Sequence, residues 1–494
     1  MPGGAVKESL EVVADAAADM DAAEFRRLGR RVVDWIADYL ADPEAWRVFP
    51  DIQPGEFRAR LPVRPSMDPE PFERVLDDFE RLVPPATTHW NHPGFMAYFA
   101  TTASGPGILA EMLIAALNSQ AMLWRTGPAA TELEQVTTAW LLDLLGLPAA
   151  WDGTINDTAS TSTLYALAAA RDFASDLRIR ELGMAGRSDL PALRVYCSEE
   201  AHSSVDKAVA ALGLGLSGVR KIATDHEMRM DANALVSAIA EDRRAGVRPL
   251  AVVATVGTTS TTAVDPVGPI GDVCTREGLW LHVDAAYGGA AAALPEMRWI
   301  FAGCERADSL VVNPHKWLFL PMDCSVLYTR RPEVLKRAFS LVPEYLTTPE
   351  SGQVKNLMDY GVALGRRFRS LKLWFVLRYF GVAGIQERLR EHIRLAASFA
   401  RWVDADADWE RLSPARFSVV VFRFHPRGAD DESALEALNA RVLERVNASG
   451  EIFLSHTRVR GRYALRLAVG NLRTRERHVR RAWQLLVDAA AVRP

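Results

Sequence analysis

Cysteine is nearly missing from this chain. Its 494 residues hold four, Cys197, Cys274, Cys304 and Cys324, none in a C-x-x-C pair. That excludes a disulfide scaffold and the usual zinc ribbons, and it suits a reducing compartment. Basic blocks are missing too. The formal charge is −4, spread over residues of both signs, so no patch is laid out for a nucleic-acid backbone. No apolar run reaches the ~20 residues that a membrane-spanning helix needs. The opening MPGGAVKESLEVVADAAADMD is acidic and lacks the basic start and apolar stretch of a secretion leader. The expectation is a cytoplasmic protein with neither a nucleic acid nor a membrane as partner. Lysine is also scarce: only seven of the 58 basic residues are lysines, at 7, 207, 221, 316, 336, 355 and 372.

What is present is ordinary for a globular protein, with 49% apolar and 24% charged residues. The length suggests about two to four domains. Residues 1–100 read as helices broken by a proline-rich link, FPDIQPGEFRARLPVRPSMDPEP, and AEFRRLGRRVVDWIADYLAD carries a helical apolar stripe. From 101 to 375 helical stretches (130–145, 163–182, 232–245) alternate with short apolar runs: LRVYC, LAVVATV, LWLHVDAA and SLVVN. Strands apolar throughout and separated by helices imply a mainly parallel sheet covered on both faces. Such α/β sheets bind ligands beyond the carboxyl ends of their strands. Residues 376–494 read as a smaller α+β domain, with a long helix at 384–407 and strands in RFSVVVFRF and RYALRLAV.

The scarcity of lysine isolates one residue. Lys7 lies in a polar tail, Lys207 and Lys336 in helix-like surface runs, and Lys221 and Lys355 in polar connections. Lys372 falls on a helix flank. Only Lys316, in VVNPHKWLFLPMDC, is framed by apolar residues on both sides. An amine there is either reaching back to water or in use. Asp284 ends the apolar run LHVDAAYGG, where a carboxylate is costly without a cation or donor to meet it. TVGTTSTTAVDP puts a glycine and the hydroxyls of Thr258 and Thr259 after another strand. NDTASTSTLYALAAAR opens a helix at Thr158, and helix starts offer free N–H groups to an anion. Asp157, just before it, would repel such an anion unless it turns away to cap the helix. His202 follows LRVYC. Each of these features also has a plain structural reading, as a cap, a turn or a packed histidine. Together they supply a Schiff-base lysine, an acid for a ring nitrogen and a phosphate cup, the parts that pyridoxal phosphate requires.

The sequence resembles the group II pyridoxal-phosphate-dependent decarboxylases, most closely the aromatic L-amino-acid decarboxylases. The resemblance rests on WNHPGFMAYF (90–99), ATELE (130–134), AHSS (201–204), ATVGTT (254–259), LHVDAAYGG, NPHKW (313–317) and LGRRFRSLKLWF (364–375). It implies fold type I, an aspartate aminotransferase-like α/β fold, and a homodimer with shared active sites and N-terminal helices packed on the partner chain. It implies that Lys316 carries the cofactor, Asp284 pairs with its ring nitrogen, His202 stacks on the ring and Ala286 packs opposite. Thr158, Ala159, Ser160, Asn313 and His315 would surround the phosphate, with Thr259 nearby. Tyr345, in LVPEYLTT, would return a proton to the substrate α-carbon, reaching in from the neighbouring subunit. Trp90, Tyr98, Thr101, Gly365 and Arg366 would lie at the substrate, as would Gln120 and Met122, the last two from the partner chain.

The implied reaction is decarboxylation of tryptophan, tyrosine, phenylalanine or dihydroxyphenylalanine to the arylalkylamine. Gly365 leaves room for an indole, and Met122 and Met322 adapt to aromatic rings. Rival readings are an aromatic aldehyde synthase on the same scaffold, a decarboxylase of another amino acid, an aminotransferase and a non-catalytic cofactor-binding protein. The presence of Tyr345 and His202 argues against the synthase. The complete set of Lys316, Asp284 and Tyr345 argues against a retired enzyme.

Overall fold

The computed structural model describes residues 19–342, 344–346, 348–350 and 352–492, with the side chain of Tyr345 outside that set. The chain divides into two compact units, Met1–His92 and Pro93–Pro494. In the first, the helix Ala22–Ala41 starts at Asp21, whose carboxylate accepts the N–H groups of Ala23 and Glu24. That satisfies two of the donors a helix start leaves open. The helix meets a second, Phe72–Leu82, through Trp35 edge-on to Phe79 at 5.0 Å, with Arg27–Glu73 and Arg31–Asp77 ion pairs alongside.

The second unit is built on a seven-stranded sheet. Its strands are β1 (Asp152–Asn156), β2 (Leu193–Ser198), β3 (Val219–Ile222), β4 (Arg248–Thr255), β5 (Trp280–Asp284), β6 (Ser309–Val312) and β7 (Ser325–Thr329), in the order β1-β7-β6-β5-β4-β2-β3. β2/β3, β2/β4, β4/β5 and β5/β6 pair parallel, while β7 runs antiparallel to both β1 and β6. The sheet is therefore mainly parallel, as fold type I requires. Side chains of β4 alternate between two cores, as the period of two dictates. Ala251 and Val253 join the helix Ala159–Phe173, and Val252 and Ala254 join the helices Ala232–Arg244 and Val267–Glu277. Ala166, Ala169 and Ala170 bring the first of these helices close against the sheet, with Tyr165 and Leu167 filling the space beside them.

A four-stranded antiparallel sheet follows: β8 (Trp409–Arg411), β9 (Val419–Phe424), β10 (Ser455–Val459) and β11 (Arg462–Ala468), in the order β10-β11-β9-β8. Its core is closed by the helices Glu432–Ala448 and Glu476–Ala491 and by the second half of a 36-residue helix, Ser370–Ala405. That long helix is bent at Gly381, whose φ of 62° only glycine adopts readily. It starts 14 positions earlier than the sequence pattern indicates, because the charged stretch RFRSLKLWF hides its apolar face.

Candidate active site

Four parallel strands deliver the site. β4, β5 and β6 end side by side, with Thr255 paired to Asp284 in register, and β2 ends one strand further on. Beyond these ends lies a cavity of about 210 Å³. Lys316 lines it from the one-turn helix Pro314–Trp317 after β6. Asp284 lines it from the end of β5 and Ala286 from just beyond. Thr158, Ala159 and Ser160 come from the start of the Ala159–Phe173 helix, His202 from the loop after β2, and Thr259 from the loop after β4. Asn313 and His315 complete the set, so all ten residues expected around a cofactor line one cavity.

Two openings in the backbone make this convergence possible. The loop after β4 turns at Gly257, with φ of +88°. Gly288, after β5, approaches it so closely that an added Cβ would sit 2.5 Å from the Val256 carbonyl. The two loops can close together under the cavity only without side chains at that point.

The electrostatics are those of a reactive amine. The Lys316 amine makes no hydrogen bond among the described residues and lies over the Phe99 ring, 5.1 Å from Nζ to the centroid. Burial pushes its pKa below the ordinary lysine value, with the negative charge of Asp284 opposing that shift. Asp284 is itself buried, and one of its oxygens accepts the N–H of Ala286 at 3.1 Å. Burial likewise depresses His202, against the pull of Asp284. Its Nδ1 accepts the N–H of Ser204 at 3.1 Å, which leaves Nε2 to carry the proton of the neutral ring. His315 is pushed down to about 4 by burial and by Lys316, so it is neutral at physiological pH. Its Nδ1 accepts the Cys324 N–H at 2.9 Å.

The cup fits a phosphate and the cavity floor fits a polar ring. Thr158 caps the helix start, and Asp157 accepts the Thr158 N–H at 2.6 Å without lining the cavity. The Asp157 carboxylate is thus engaged by the main chain at the helix start, while Thr158 is the cap itself. Asn313 Oδ1 and Thr255 Oγ1 are buried at this cavity without a partner. Orphaned buried polar atoms are rare in folded proteins, and a bound polar ligand is one of the usual reasons for them.

The residues expected at the substrate are placed differently. None of Tyr98, Thr101, Gln120, Met122, Gly365 or Arg366 lines the cavity. Gln120 Oε1 accepts the Arg366 N–H at 2.6 Å, and a Cβ on Gly365 would stand 3.2 Å from Gln120 Nε2, so these three form their own cluster. The Arg366 guanidinium bonds buried Glu134 at 3.0 Å and the Ile155 carbonyl, and Glu134 also accepts the Ile155 N–H at 2.8 Å. The ATELE and LGRRF motifs are thereby shown to meet across β1. Met122 packs with Leu123, Leu346 and Met358. Trp90 belongs to the other unit, where it is exposed. The backbone of Tyr345 lies in the turn Glu344–Leu346, and its side chain lies outside the described residues.

Phe99, Thr255 and Tyr287 line the cavity without having been anticipated, beside Gly257, the glycine of TVGTTSTTAVDP. Phe99 and Tyr287 stack at 3.9 Å, and Tyr287 stacks in turn on Trp317 at 5.0 Å, beside the lysine. All three aromatics lie within motifs already singled out, and that was the available signal. The elimination among lysines also needs correcting. Lys372 is fully buried, Lys355 nearly so, and Lys221 sits on β3 rather than in a connection. Lys372 bonds Glu111 and the Pro321 carbonyl, and Lys355 bonds Asp152 and the Gly153 carbonyl, so both are paired where Lys316 is not.

The conserved domain of pyridoxal-dependent decarboxylases matches residues 54–425. A tryptophan decarboxylase, TDC2, of Camptotheca acuminata is 40% identical over 477 residues, covering 94% of each chain. The aromatic-L-amino-acid decarboxylase of Sus scrofa is 40% identical over 96% of this chain and 97% of its own. The crystal structure of Oryza sativa TDC with PLP and tryptamine superposes with a TM-score of 0.91 at 37% identity, over 96% of this chain and 99% of that one. With a lysine that makes no hydrogen bond among the described residues and a buried strand-end aspartate in one cavity, and with similarity along nearly its whole length, the chain belongs to the pyridoxal-dependent decarboxylases.

Proposed function

We propose that this enzyme releases carbon dioxide from an aromatic L-amino acid, with tryptophan, tyrosine, phenylalanine and dihydroxyphenylalanine as the candidates. The observation that carries the reading is the meeting of Lys316, Asp284 and the Thr158–Ser160 helix start in one cavity. When bound, pyridoxal phosphate supplies an electron-accepting ring for the pair released as the bond from Cα to the carboxylate breaks. Lys316 is the residue to hold the cofactor, because its lowered pKa keeps a share of the amine unprotonated and nucleophilic. Asp284 would keep a proton on the ring nitrogen, and His202 and Ala286 would pack against the ring. Thr158, Ala159, Ser160, Asn313 and His315 would hold the phosphate, with Thr259 nearby. Orientation of the substrate, with its carboxylate out of the ring plane, selects carbon dioxide loss over amino transfer. Tyr345, or His202, returns the proton to Cα.

The substrate-side residues belong to this reading through a second copy of the chain. The helix Gly105–Leu117 leaves Leu109, Met112, Leu113 and Leu117 40–63% exposed, an apolar face suited to a homodimer. Gln120 and Met122 follow that helix and would close the partner's site, with Trp90, Tyr98, Thr101, Gly365 and Arg366 toward the substrate. In this scheme residues 1–100 engage the second copy, 101–375 carry the cofactor and 376–494 form the small domain. A cytoplasmic location agrees with four free, buried cysteines. The test is amine and carbon dioxide release from a panel of aromatic and acidic amino acids, beside Lys316→Ala and with oxygen uptake recorded. Arylalkylamine without oxygen uptake is the expected product. Turnover confined to glutamate or aspartate, or stoichiometric oxygen consumption, would refute the proposal.

A further inference from the structure

The helix that opens at the catalytic cavity ends at a second one. A cavity of about 350 Å³ lies where Ala159–Phe173 finishes, between the short turns at Ser175–Leu177 and Ile179–Leu182 and the end of the helix Pro332–Phe339. It shares no lining residue with the catalytic cavity and is larger than it. Its size falls within the ~300–1,000 Å³ typical of small-molecule sites.

Four arginines line this cavity against two carboxylates. Both carboxylates are already engaged. Arg337 donates to Asp172 at 2.6 Å, and Arg178 donates twice to Glu181, at 2.9 and 2.7 Å. Arg171 and Arg180 bond only main-chain carbonyls among the described residues, those of Leu212 at 2.8 Å and Ser340 at 2.6 Å. A guanidinium has five N–H donors, so each of these two keeps capacity for an anion. Burial pushes the Arg171 guanidinium below the ordinary arginine range, with Asp172 only partly opposing it. Leu164, Ala168, Leu212 and Phe339 add apolar surface to the lining. Two guanidiniums with no carboxylate hydrogen-bonded to them among the described residues, in a cavity also lined by aliphatic and aromatic side chains, suit an amphiphilic anion.

We propose that this cavity binds a small aryl carboxylate, its carboxylate on Arg171 and Arg180 and its ring against Leu164, Leu212 and Phe339. The site is independent of the catalytic reading. Calorimetric titration of the cofactor-loaded enzyme with phenylacetate, acetate and inorganic phosphate tests it, with Arg180→Gln and Arg178→Gln run in parallel. Both substituted residues are exposed and lie outside the catalytic cavity, so the variants should fold and retain basal activity. Phenylacetate should bind more tightly than acetate or phosphate. Losing a charge-assisted hydrogen bond should weaken it roughly ten- to hundredfold in Arg180→Gln. In Arg178→Gln the freed Glu181 should weaken it as well, by repulsion. Unchanged phenylacetate affinity in both variants would place the ligand in the catalytic cavity and overturn the proposal. So would the absence of phenylacetate binding to the unsubstituted enzyme at millimolar concentration. Equal affinity for phenylacetate and acetate would remove the role given to the apolar lining.

Discussion

Two buried amines in this molecule have opposite surroundings. Lys372 is fully enclosed and bonds the Glu111 carboxylate and the Pro321 carbonyl, with Asp323 at 3.9 Å. Lys316 lines a cavity, makes no hydrogen bond among the described residues, and is depressed by burial. Burial alone therefore does not make a lysine reactive. A partner carboxylate with good hydrogen bonds recovers the cost of taking the charge out of water and makes the amine a structural cation. Without one, the cost falls on the charged form and the amine becomes available as a nucleophile. Around Lys372 the fold depends on the charge; around Lys316 it does not.

The largest effect expected from this contrast is on catalysis. Lys316→Ala should reduce turnover on the order of 10⁴-fold or more, as loss of a covalent nucleophile does. Its thermal midpoint, measured without cofactor, should not fall, since no bond of the amine is lost. A similar loss of turnover from Lys372→Met with stability intact would erase the distinction. Asp284→Asn should cost roughly 10²–10³ in kcat, the scale of losing one aligned electrostatic partner at a reacting group. Single-turnover carbon dioxide release is the readout, and a change confined to KM would remove Asp284 from the chemistry.

The next effects are on stability. Lys372→Met should cost about 3 kcal/mol by denaturant unfolding, the low end for breaking a buried pair, because Arg367 also bonds Glu111. Glu134→Gln should cost about 3–5 kcal/mol, since it leaves the Arg366 guanidinium buried opposite a neutral amide. Neither side chain lines the cavity or bonds the Lys316 amine, so the cofactor-binding step at Lys316 should persist in whatever fraction stays folded. Loss of turnover out of proportion to unfolding would mean that these networks set the site rather than the fold.

The contrast also explains what could be read from the sequence. Lys316, Asp284 and the helix start at Thr158 lie at strand ends and a helix start, positions that local apolar runs and capping residues mark directly. β2, β4, β5 and β6 were legible for the same reason. β1 reads DGTIN, with one aliphatic residue, and β3 reads VRKI, a half-exposed edge, so neither has the pattern of a buried strand. The Lys372 network was hidden because Glu111 is 261 positions away in sequence and RFRSLKLWF looks like a solvated helix flank. The Gln120–Arg366 contact spans 246 positions. Phe99 and Tyr287 sat inside recognised motifs, yet no local rule says which aromatic of MAYF or AAY faces a cavity. Side chains paired with their sequence neighbours can be inferred one at a time; side chains paired by topology need the sheet order first.

The smallest effect is the most specific to the Lys316 amine. Its folded pKa lies below the unfolded value of 10.5. Between the two, the unfolded chain binds a proton that the folded chain does not, so the cofactor-free protein should gain stability from this group as pH rises through that window. The gain is complete near 10.5 and absent below the folded pKa. Lys316→Met removes the titrating group and should flatten that part of the stability profile, measured by urea unfolding at a series of alkaline pH values. The other titrating groups are common to both proteins, so the difference between the two profiles isolates this amine. A difference that falls with pH, instead of rising, would mean that Lys316 is held as a cation in the empty cavity, with Asp284 outweighing burial. The contrast drawn between the two sites would then collapse.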